Sequence, residues 1–475
     1  MSRAFLWRAL ASAGGFAGAA LCAQESIPEV SVRAPLVALV HARLFDATGP
    51  EAREDQTLLV RDGKIAALGP FGKVPVPGEA RTIDLTGKTV IPGLVMVHEH
   101  LFYALSAAKG SFHVNEMEYS FPRLYLACGL TSIRTAGSIE PYADMEIRRR
   151  IDAGEMPGPK IHLTAPYIEG PPSPFAQVHA VGGPEDAARL VNFWADQGFT
   201  SFKLYVHVRR DVAAAAIAAA HKRGLQVTGH IGVMTYREAA ELGIDNLEHG
   251  FFASTDFVRG KKEGELPVPA IAQASLDAVK VDSPEVDALI RLLVSRHVAL
   301  TSTLAVIEGF VGGRPILAAR VLESMSEPAR EKYLTSWARA NEHNASMIPR
   351  FQKMMALEKR FLDAGGLLVA GTDPTGWGNA VAGHGSLREV ELLVEAGLTP
   401  AQAIQVSTIN GAKLLGVDRE VGTLEPGKAA DLVVVAGNPL QSIGDIRRIE
   451  TVFKDGVGYD SGRLLESVKG CVGIE

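Results

Sequence analysis

Cysteine is scarce in this sequence, and long apolar runs and clustered positive charge are missing as well. Only three of the 475 residues are Cys, which are too few for a disulfide framework. Beyond the N-terminus no apolar run approaches the roughly 20 residues of a membrane-spanning helix. The net charge of −6 and the pI near 6.1 leave no basic surface for nucleic acid. A nucleic-acid partner and a stable membrane span after signal removal are therefore not expected.

The first residues have the pattern of an export signal. Two arginines flank a stretch of apolar and small residues over 9–23, and cleavage is expected after its last residue. We therefore predict a signal peptide over 1–23 and a periplasmic or secreted mature protein. A lipid anchor on Cys22 is the alternative, although the bulky Leu21 precedes it where a small residue would be expected.

The mature chain shows two sequence patterns, one at its ends and one in its middle. Valine-rich runs joined by Asp-Gly turns occur at both ends, at Asp62-Gly63 and at Asp455-Gly456, and they predict β-hairpins. A helix start is predicted at Thr399, which Pro400 and Gln402 follow. The middle of the chain alternates strand-like and helix-like stretches, the pattern of an α/β protein whose parallel strands close a barrel. The candidate barrel strands lie near residues 91–98, 130–136, 160–166, 200–206, 225–230, 244–249, 297–303 and 366–372.

Six candidate metal-site residues stand at or near the ends of these predicted strands. His98 and His100 are two residues apart, and on a strand both imidazoles would point to the same face. Taken alone, each residue has an ordinary explanation, such as a packed histidine, a snorkelling lysine or a turn aspartate. Six of them at the face where barrel enzymes place their chemistry favour a metal centre. The other four are Lys203, His230, His249 and Asp373.

Longer motifs give the chain a family resemblance. From about Leu36 to about Ser461 it resembles the amidohydrolase superfamily, in the imidazolonepropionase-like and prolidase-like branch whose binuclear site uses a carboxylated lysine. Met96 and Thr135 depart from this pattern, because the family often has Asp at both positions. The motifs are Ile91-Pro92-Gly93-Leu94 before the histidine pair, Gly129-Leu130-Thr131-Ser132-Ile133-Arg134, Gly371-Thr372-Asp373, and Gly422-Thr423-Leu424-Glu425-Pro426-Gly427-Lys428 continuing to Leu432.

The resemblance implies an architecture and a ligand set. The fold expected is a (β/α)8 TIM barrel over 90–414 plus a small β-sandwich built from both chain ends, 30–89 and 415–465. Two divalent metal ions per chain are expected, and four imidazoles favour zinc, although nitrogen and oxygen ligands also admit Mn, Co or Fe. His98, His100 and Asp373 would bind one ion and His230 and His249 the other. Lys203, carboxylated by CO2, would bridge both.

The expected reaction is hydrolysis of an amide C–N bond by metal-bound hydroxide, with Asp373 passing the proton to the departing amine. The expected substrate is a small molecule, a dipeptide or an N-acyl amino acid with a hydrophobic portion. The segment 255–286 is expected to be a lid, a contact in a homo-oligomer or solvated surface. The predicted substrate contacts are Tyr205, His207, Tyr103, His384 and Trp377.

Two alternatives remain open at this point. One is a mononuclear hydrolase of a cyclic amide, or an aminohydrolase, of the imidazolonepropionase type. Lys203 argues against it, because a site with one metal needs no bridge. The other is a non-catalytic barrel, which the presence of all six metal-site residues disfavours.

Overall fold

The structure, a computed structural model, describes residues 27–106, 112–173, 175 and 177–474. The predicted signal peptide and Cys22 lie outside these residues. Within this part of the chain no helix combines the length and the apolar character that crossing a membrane requires.

Strands occur at both ends of the described chain and at intervals through its middle. In chain order they are β1 Val30–Val32, β2 Leu36–Leu44, β3 Arg53–Arg61, β4 Lys64–Pro70, β5 Arg81–Asp84, β6 Lys88–Pro92, β7 Leu94–Glu99, β8 Phe102–Ser106, β9 Phe112–Glu116, β10 Leu130–Thr135, β11 Lys160–His162, β12 Ser201–Leu204, β13 Gln226–Gly229, β14 Asn246–Leu247, β15 Ala299–Ser302, β16 Leu368–Ala370, β17 Leu432–Ala436, β18 Ile449–Lys454 and β19 Val457–Asp460.

Helices follow most of the strands in the middle of the chain. In chain order they are α1 Ser120–Ala127, α2 Pro141–Asp152, α3 Pro184–Asp196, α4 Arg210–Lys222, α5 Tyr236–Leu242, α6 Pro269–Ala278, α7 Pro284–Ser295, α8 Leu304–Glu308, α9 Ala319–Ser324, α10 Glu327–His343, α11 Met347–Asp363, α12 His384–Glu395, α13 Pro400–Gln405, α14 Gly411–Leu415 and α15 Ser461–Ser467, with a π-helical turn at Val406–Asn410 and a 3-10 turn at Ile443–Arg447.

Both chain ends meet in one nine-stranded sheet. Its strand order is β1-β19-β18-β17-β6-β2-β3-β4, and β5 pairs with β2. The antiparallel pair of β6 with β17 joins the two ends, with Val90 opposite Val434. The predicted hairpins are confirmed, since Asp62-Gly63 connects β3 to β4 and Asp455-Gly456 connects β18 to β19, all four residues having positive φ. In the described part of the chain these strands form one sheet, and the predicted β-sandwich is not confirmed.

The eight predicted parallel strands are present as two sheets. Strands β11-β10-β7 form one, and β12-β13-β14-β15-β16 form the other. Two isolated parallel bridges, Thr164 with Ser201 and Ile168 with Leu204, link the segment after β11 to β12 and so connect the first sheet to the second. At the opposite edges no ladder joins β7 to β16 among the described residues, but the N–H groups of Thr372 and Asp373 donate to the carbonyl of His98 at 3.0 and 2.9 Å. The mixed α/β character is confirmed, whereas closure of the barrel is not shown.

Burial on both faces explains why the sequences of these strands are continuous apolar runs and do not alternate between apolar and polar residues. Every residue of β7, β10 and β12 is buried, as expected of parallel strands that are covered on both faces. The predicted helix start at Thr399 is confirmed, because its side chain accepts from Gln402 N and Gln402 caps in return. The strands therefore form a packed support, and the residues that follow their C-terminal ends are held in fixed positions.

The segment 255–286 contains a loop, then α6 and the first residues of α7. Val268 is 60% and Ile271 54% exposed on it. Its role as a lid or an oligomer contact stays a prediction.

Candidate metal centre

The six candidate ligands all lie at the carboxyl ends of parallel strands. His98 is the penultimate residue of β7, and His100 follows that strand directly. Lys203 is within β12, and His230 comes directly after β13. The remaining two, His249 after β14 and Asp373 after β16, complete the set.

Three of these residues form a compact group of donor atoms. The ligand atoms of His98, His100 and Asp373 all lie within 4.8 Å of one another. Asp373 Oδ1 is 3.2 Å from His100 Nε2 and 3.6 Å from His98 Nε2. Two imidazoles and a carboxylate at this spacing can bind one divalent ion.

The other three residues stand beside this group. Lys203 Nζ is 3.4 Å from His98 Nε2. The ring of His249 lies 4.6 Å from that of His98 and 4.5 Å from that of His230, between centroids. The structure therefore brings all six predicted residues together around one point, with Lys203 beside the first group and His230 on the far side of His249.

Two of the candidate ligands have a strained backbone. His249 has φ 64° and Asp373 has φ 57°, in the left-handed region that residues other than Gly rarely adopt. Gly371 makes the approach of β16 to β7 possible, since a Cβ at this position would lie 2.2 Å from His98 Cβ. Such strain is found where surrounding structure holds functional groups in place.

Hydrogen bonds fix the orientation of three imidazoles. His98 Nδ1 lies 2.7 Å from Glu248 Oε2, His100 Nδ1 3.2 Å from the carbonyl of Gly137, and His249 Nδ1 2.8 Å from Thr303 Oγ1. With Nδ1 engaged in this way, Nε2 is free to serve as a metal ligand, the arrangement usual for histidines in metal sites.

Glu248 is the site residue that sequence reasoning missed. It is fully buried, and besides His98 it contacts Arg134, whose Nη2 donates to Glu248 Oε1 at 2.7 Å. Arg134 is also buried and donates further to the carbonyl of Val97 and to Asn246 Oδ1, both at 2.8 Å. The available signal was a glutamate directly before His249 at the end of a buried strand.

Burial sets the protonation states of these groups. It lowers the pKa of His100 to about 4 and that of His230 to about 3, so both imidazoles are neutral near pH 7. Burial also lowers the pKa of Lys203 to about 8. Burial alone would raise the pKa of Asp373, but hydrogen bonds from His100 and His98 hold it well below its usual value. The centre thus offers neutral imidazoles and an ionised carboxylate.

This donor set suits divalent cations if Lys203 is not a cation. Neutral imidazoles and a carboxylate are good zinc ligands, but an ammonium at Lys203 would repel a cation close to it. Burial lowers its pKa and so favours the neutral amine, which does not repel a cation.

A cavity of about 220 Å³ opens onto the centre, and Lys203, His230 and Asp373 form part of its lining. Of the predicted substrate contacts, Tyr205 and Trp377 line it. Its walls are otherwise apolar and mostly aromatic, which fits a hydrophobic substrate portion. The aromatic residues include Phe102, Tyr167, Phe175 and Phe252.

The other three predicted substrate contacts, Tyr103, His207 and His384, do not line this cavity. Tyr103 is fully buried, and it points away because it alternates with Phe102 along β8. His207 faces the side chain of Glu169, with Nδ1 3.3 Å from Oε2. His384 begins α12 and is buried, with Nδ1 3.7 Å from the sulfur of Cys128.

Comparisons with known proteins agree with this geometry. The sequence profile of the amidohydrolase family matches residues 89–458. Enamidase from Eubacterium barkeri is 24% identical over 426 residues, which are 86% of this chain and 91% of that protein. Imidazolonepropionase from Geobacillus sp. (strain WCH70) is 24% identical over 439 residues, 86% of this chain and 92% of that protein. Adenine deaminase 4 from Rhizobium meliloti (strain 1021) is 39% identical over only 77 residues, 16% of this chain and 12% of that protein.

Among solved structures, the fold is similar to that of a Xaa-Pro dipeptidase with methionine bound in its active site. The TM-score is 0.68 at 20% identity, over 90% of this chain and 100% of that one.

Proposed function

This chain belongs to the amidohydrolase family, a family of hydrolases that act on carbon–nitrogen bonds, and we propose that it is a binuclear metal-dependent enzyme that cleaves an amide bond. The substrate we propose is a small molecule with a hydrophobic portion, either a dipeptide or an N-acyl amino acid. Membership confirms the resemblance that the sequence motifs predicted.

One observation carries the proposal: six candidate side chains from the carboxyl ends of five strands, β7, β12, β13, β14 and β16, lie next to one another. The first group is compact, with the ligand atoms of His98, His100 and Asp373 within 4.8 Å of one another. Lys203 lies within 3.4 Å of His98, where a carbamate could reach both this group and the pair formed by His230 and His249.

The carbamate would form by a simple addition. The neutral Nζ of Lys203 attacks the carbon of CO2, an N–C bond forms, and Nζ releases a proton to solvent. The pKa of about 8, which burial gives Lys203, keeps part of the lysine neutral at physiological pH. The product is an anion at a position where the unmodified side chain would be a cation.

The metals and the protein would share the chemistry. When bound, two divalent cations, most favourably zinc, would bring a shared water close to ionisation at neutral pH and polarise the amide carbonyl. Asp373, whose pKa is held well below its usual value, is ionised and can accept the proton of the attacking water. It can then pass that proton to the departing amine, which is a poor leaving group without it.

The walls of the cavity would select the substrate. Tyr205 and Trp377 are among the aromatic side chains that face it, and they can pack against an apolar acyl or side-chain group. Fold similarity to a Xaa-Pro dipeptidase supports an amide of peptide-like size. Its sequence identity of 20% is too low for the comparison to specify the substrate.

The test combines metal analysis with hydrolysis. Wild type and Lys203→Ala are assayed for bound metal and for hydrolysis of a panel of dipeptides and N-acyl amino acids, with and without bicarbonate. We expect two metals per wild-type chain, and in Lys203→Ala a rate at least 100-fold lower with loss of metal. Two tightly bound metals and a full rate in Lys203→Ala would contradict the carbamate.

A matched control separates these effects from simple loss of a buried lysine. Lys454 is 8% exposed, and it lies on β18 in the sheet formed by the chain ends. Lys454→Ala should retain both metals and the rate. One metal per wild-type chain would instead favour the mononuclear alternative.

The proposal includes export and a division of the mature chain. We propose that residues 1–23 are removed, that 90–414 form a closed barrel, and that 30–89 and 415–465 form a β-sandwich beside it. N-terminal sequencing of the protein recovered from outside the cytoplasm tests the first part. A mature chain that retained residue 1 would contradict it.

A further inference from the structure

A second cavity, here called the outer cavity, adjoins the cavity that opens onto the metal centre, here called the inner cavity. Its volume is about 350 Å³. Phe310 and Trp377 line both cavities, and they are 39% and 37% exposed. The two cavities therefore share these two rings as part of their lining.

One face of α10 gives this outer cavity a positive charge. Lys332, Ser336 and Arg339 are spaced four and three residues apart, so they share a face of the helix, and all three line the cavity. None of the described residues that line it is Asp or Glu. The amides of Asn344 and Asn379 add further polar lining.

The two cations lack carboxylate partners among the described residues. Lys332 Nζ donates to the carbonyls of Ala104 at 2.9 Å and Gly376 at 3.2 Å, which leaves one of its three protons unused. Burial lowers the pKa of Lys332, and no nearby anion opposes this shift. Arg339 is exposed and takes part in no ion pair in the described part of the chain. By contrast, Arg314 nearby is paired with both Glu308 and Glu395.

Lys332 is hydrogen-bonded to the loop after β16, which carries the candidate ligand Asp373. Gly376, whose carbonyl it holds, precedes Trp377 and lies three residues after Asp373. The ammonium group of Lys332 is thus held next to the wall of the inner cavity. In this position it can contact one end of a bound substrate.

We propose that the outer cavity is an anion subsite, in which Lys332 and Arg339 bind a carboxylate of the substrate. The inference rests on the proposed amide hydrolysis and specifies its substrate class. The substrate is an amide with an apolar arm in the aromatic inner cavity and a carboxylate on the opposite side of the scissile bond. Charge-assisted hydrogen bonds to a carboxylate are the strongest that these side chains make.

The test uses two substrates that differ only in this charge, phenylacetylglycine and its neutral carboxamide, phenylacetylglycinamide. The metal-loaded wild type should have a kcat/KM at least tenfold higher for the acid, mainly through KM. In Arg339→Gln this preference should disappear, because kcat/KM for the acid falls to about that for the carboxamide. Arg330→Gln is the matched control, because Arg330 is exposed on the opposite face of α10, and it should keep the wild-type preference.

Lys332→Met tests the second cation, which also holds the loop. If Lys332 only positioned the loop, the variant would lose kcat equally for both substrates. The proposal requires an additional loss of at least fivefold that is confined to the acid. Equal kcat/KM for both substrates in the wild type, or an equal loss for both in Arg339→Gln, would overturn the anion subsite while leaving amide hydrolysis intact.

A binding measurement keeps the two proposals separate. If the wild type with bound metal hydrolysed neither compound, the proposed function would fail for this substrate class. Calorimetric titration would still test the subsite: tighter binding of phenylacetylglycine than of the carboxamide, lost in Arg339→Gln, supports it. Equal binding of the two compounds overturns it.

Discussion

Replacing Glu248 by Gln tests how the candidate centre is held together. The Glu248 carboxylate lies 2.7 Å from both His98 Nδ1 and Arg134 Nη2. Contacts with His98 and Arg134 hold its pKa well below the usual value although burial would raise it. Gln has the same shape but no charge, and its NH2 group must face one of these two donors.

Both orientations of the new amide are costly. If the NH2 group faces His98, Nδ1 can no longer donate, and the imidazole must move its proton to Nε2, the atom that should bind metal. If it faces Arg134, the buried guanidinium loses its carboxylate acceptor and meets a second donor instead, although its bonds to Val97 and Asn246 remain. Loss of one member of a buried ion pair costs about 3–5 kcal/mol, and loss of an interaction that orients a ligand lowers metal affinity by about 10–100-fold.

The assay is urea unfolding of the metal-free protein together with a metal competition titration. Asp431→Asn is the control, because Asp431 is buried directly before β17 and pairs at 2.7 Å with Lys160 at the start of β11, whereas the candidate ligands lie at the carboxyl ends of the strands. It should also lose stability, yet bind metal as the wild type does. The proposed role of Glu248 would be refuted if Glu248→Gln bound metal as tightly as the wild type and its unfolding free energy differed from that of the wild type by less than about 0.5 kcal/mol. That difference is the usual range of a neutral surface change.

Two further changes test other parts of the structure. Gly371→Ala would place a Cβ 2.2 Å from His98 Cβ, so it should cost about 1–3 kcal/mol in urea unfolding and weaken metal binding. Gly78→Ala, with no atom within 4 Å, should do neither, and equal effects would contradict the packing argument. Burial, followed by repulsion from Asp144, raises the pKa of Glu116, so the stability that its bound proton provides is lost as pH rises. Glu116→Gln should therefore nearly match the wild type at pH 5 and exceed it by about 1–3 kcal/mol at pH 8, and a gain that did not grow with pH would refute this.

The positions of the candidate ligands could be predicted because they depend on local patterns. His98 and His100 follow a buried run, and period-two alternation places both on one side of the strand. The other four residues also end apolar runs, and parallel strands bring their carboxyl ends to one face of a sheet. The capped helix start at Thr399 was equally local, and it is confirmed.

The partners of these ligands could not be predicted, because they depend on packing between distant segments. Glu248 and His98 are 150 residues apart, and only the assembled strands bring them into contact. His384, which was predicted as a substrate contact, begins α12, and its ring is buried against Cys128. Tyr103 alternates with Phe102 along β8, a strand that was not among those predicted from the sequence. The anion subsite lies on α10, a helix that no motif connected with the centre.

Anomalous diffraction at the zinc absorption edge, from crystals of zinc-loaded protein, tests the central claim most directly. We predict two peaks about 3.5–4 Å apart, one beside His98, His100 and Asp373 and the other beside His230 and His249, with density for a carbamate on Lys203 between them. A single peak with an unmodified Lys203, or no peak at this centre, would contradict a binuclear amidohydrolase.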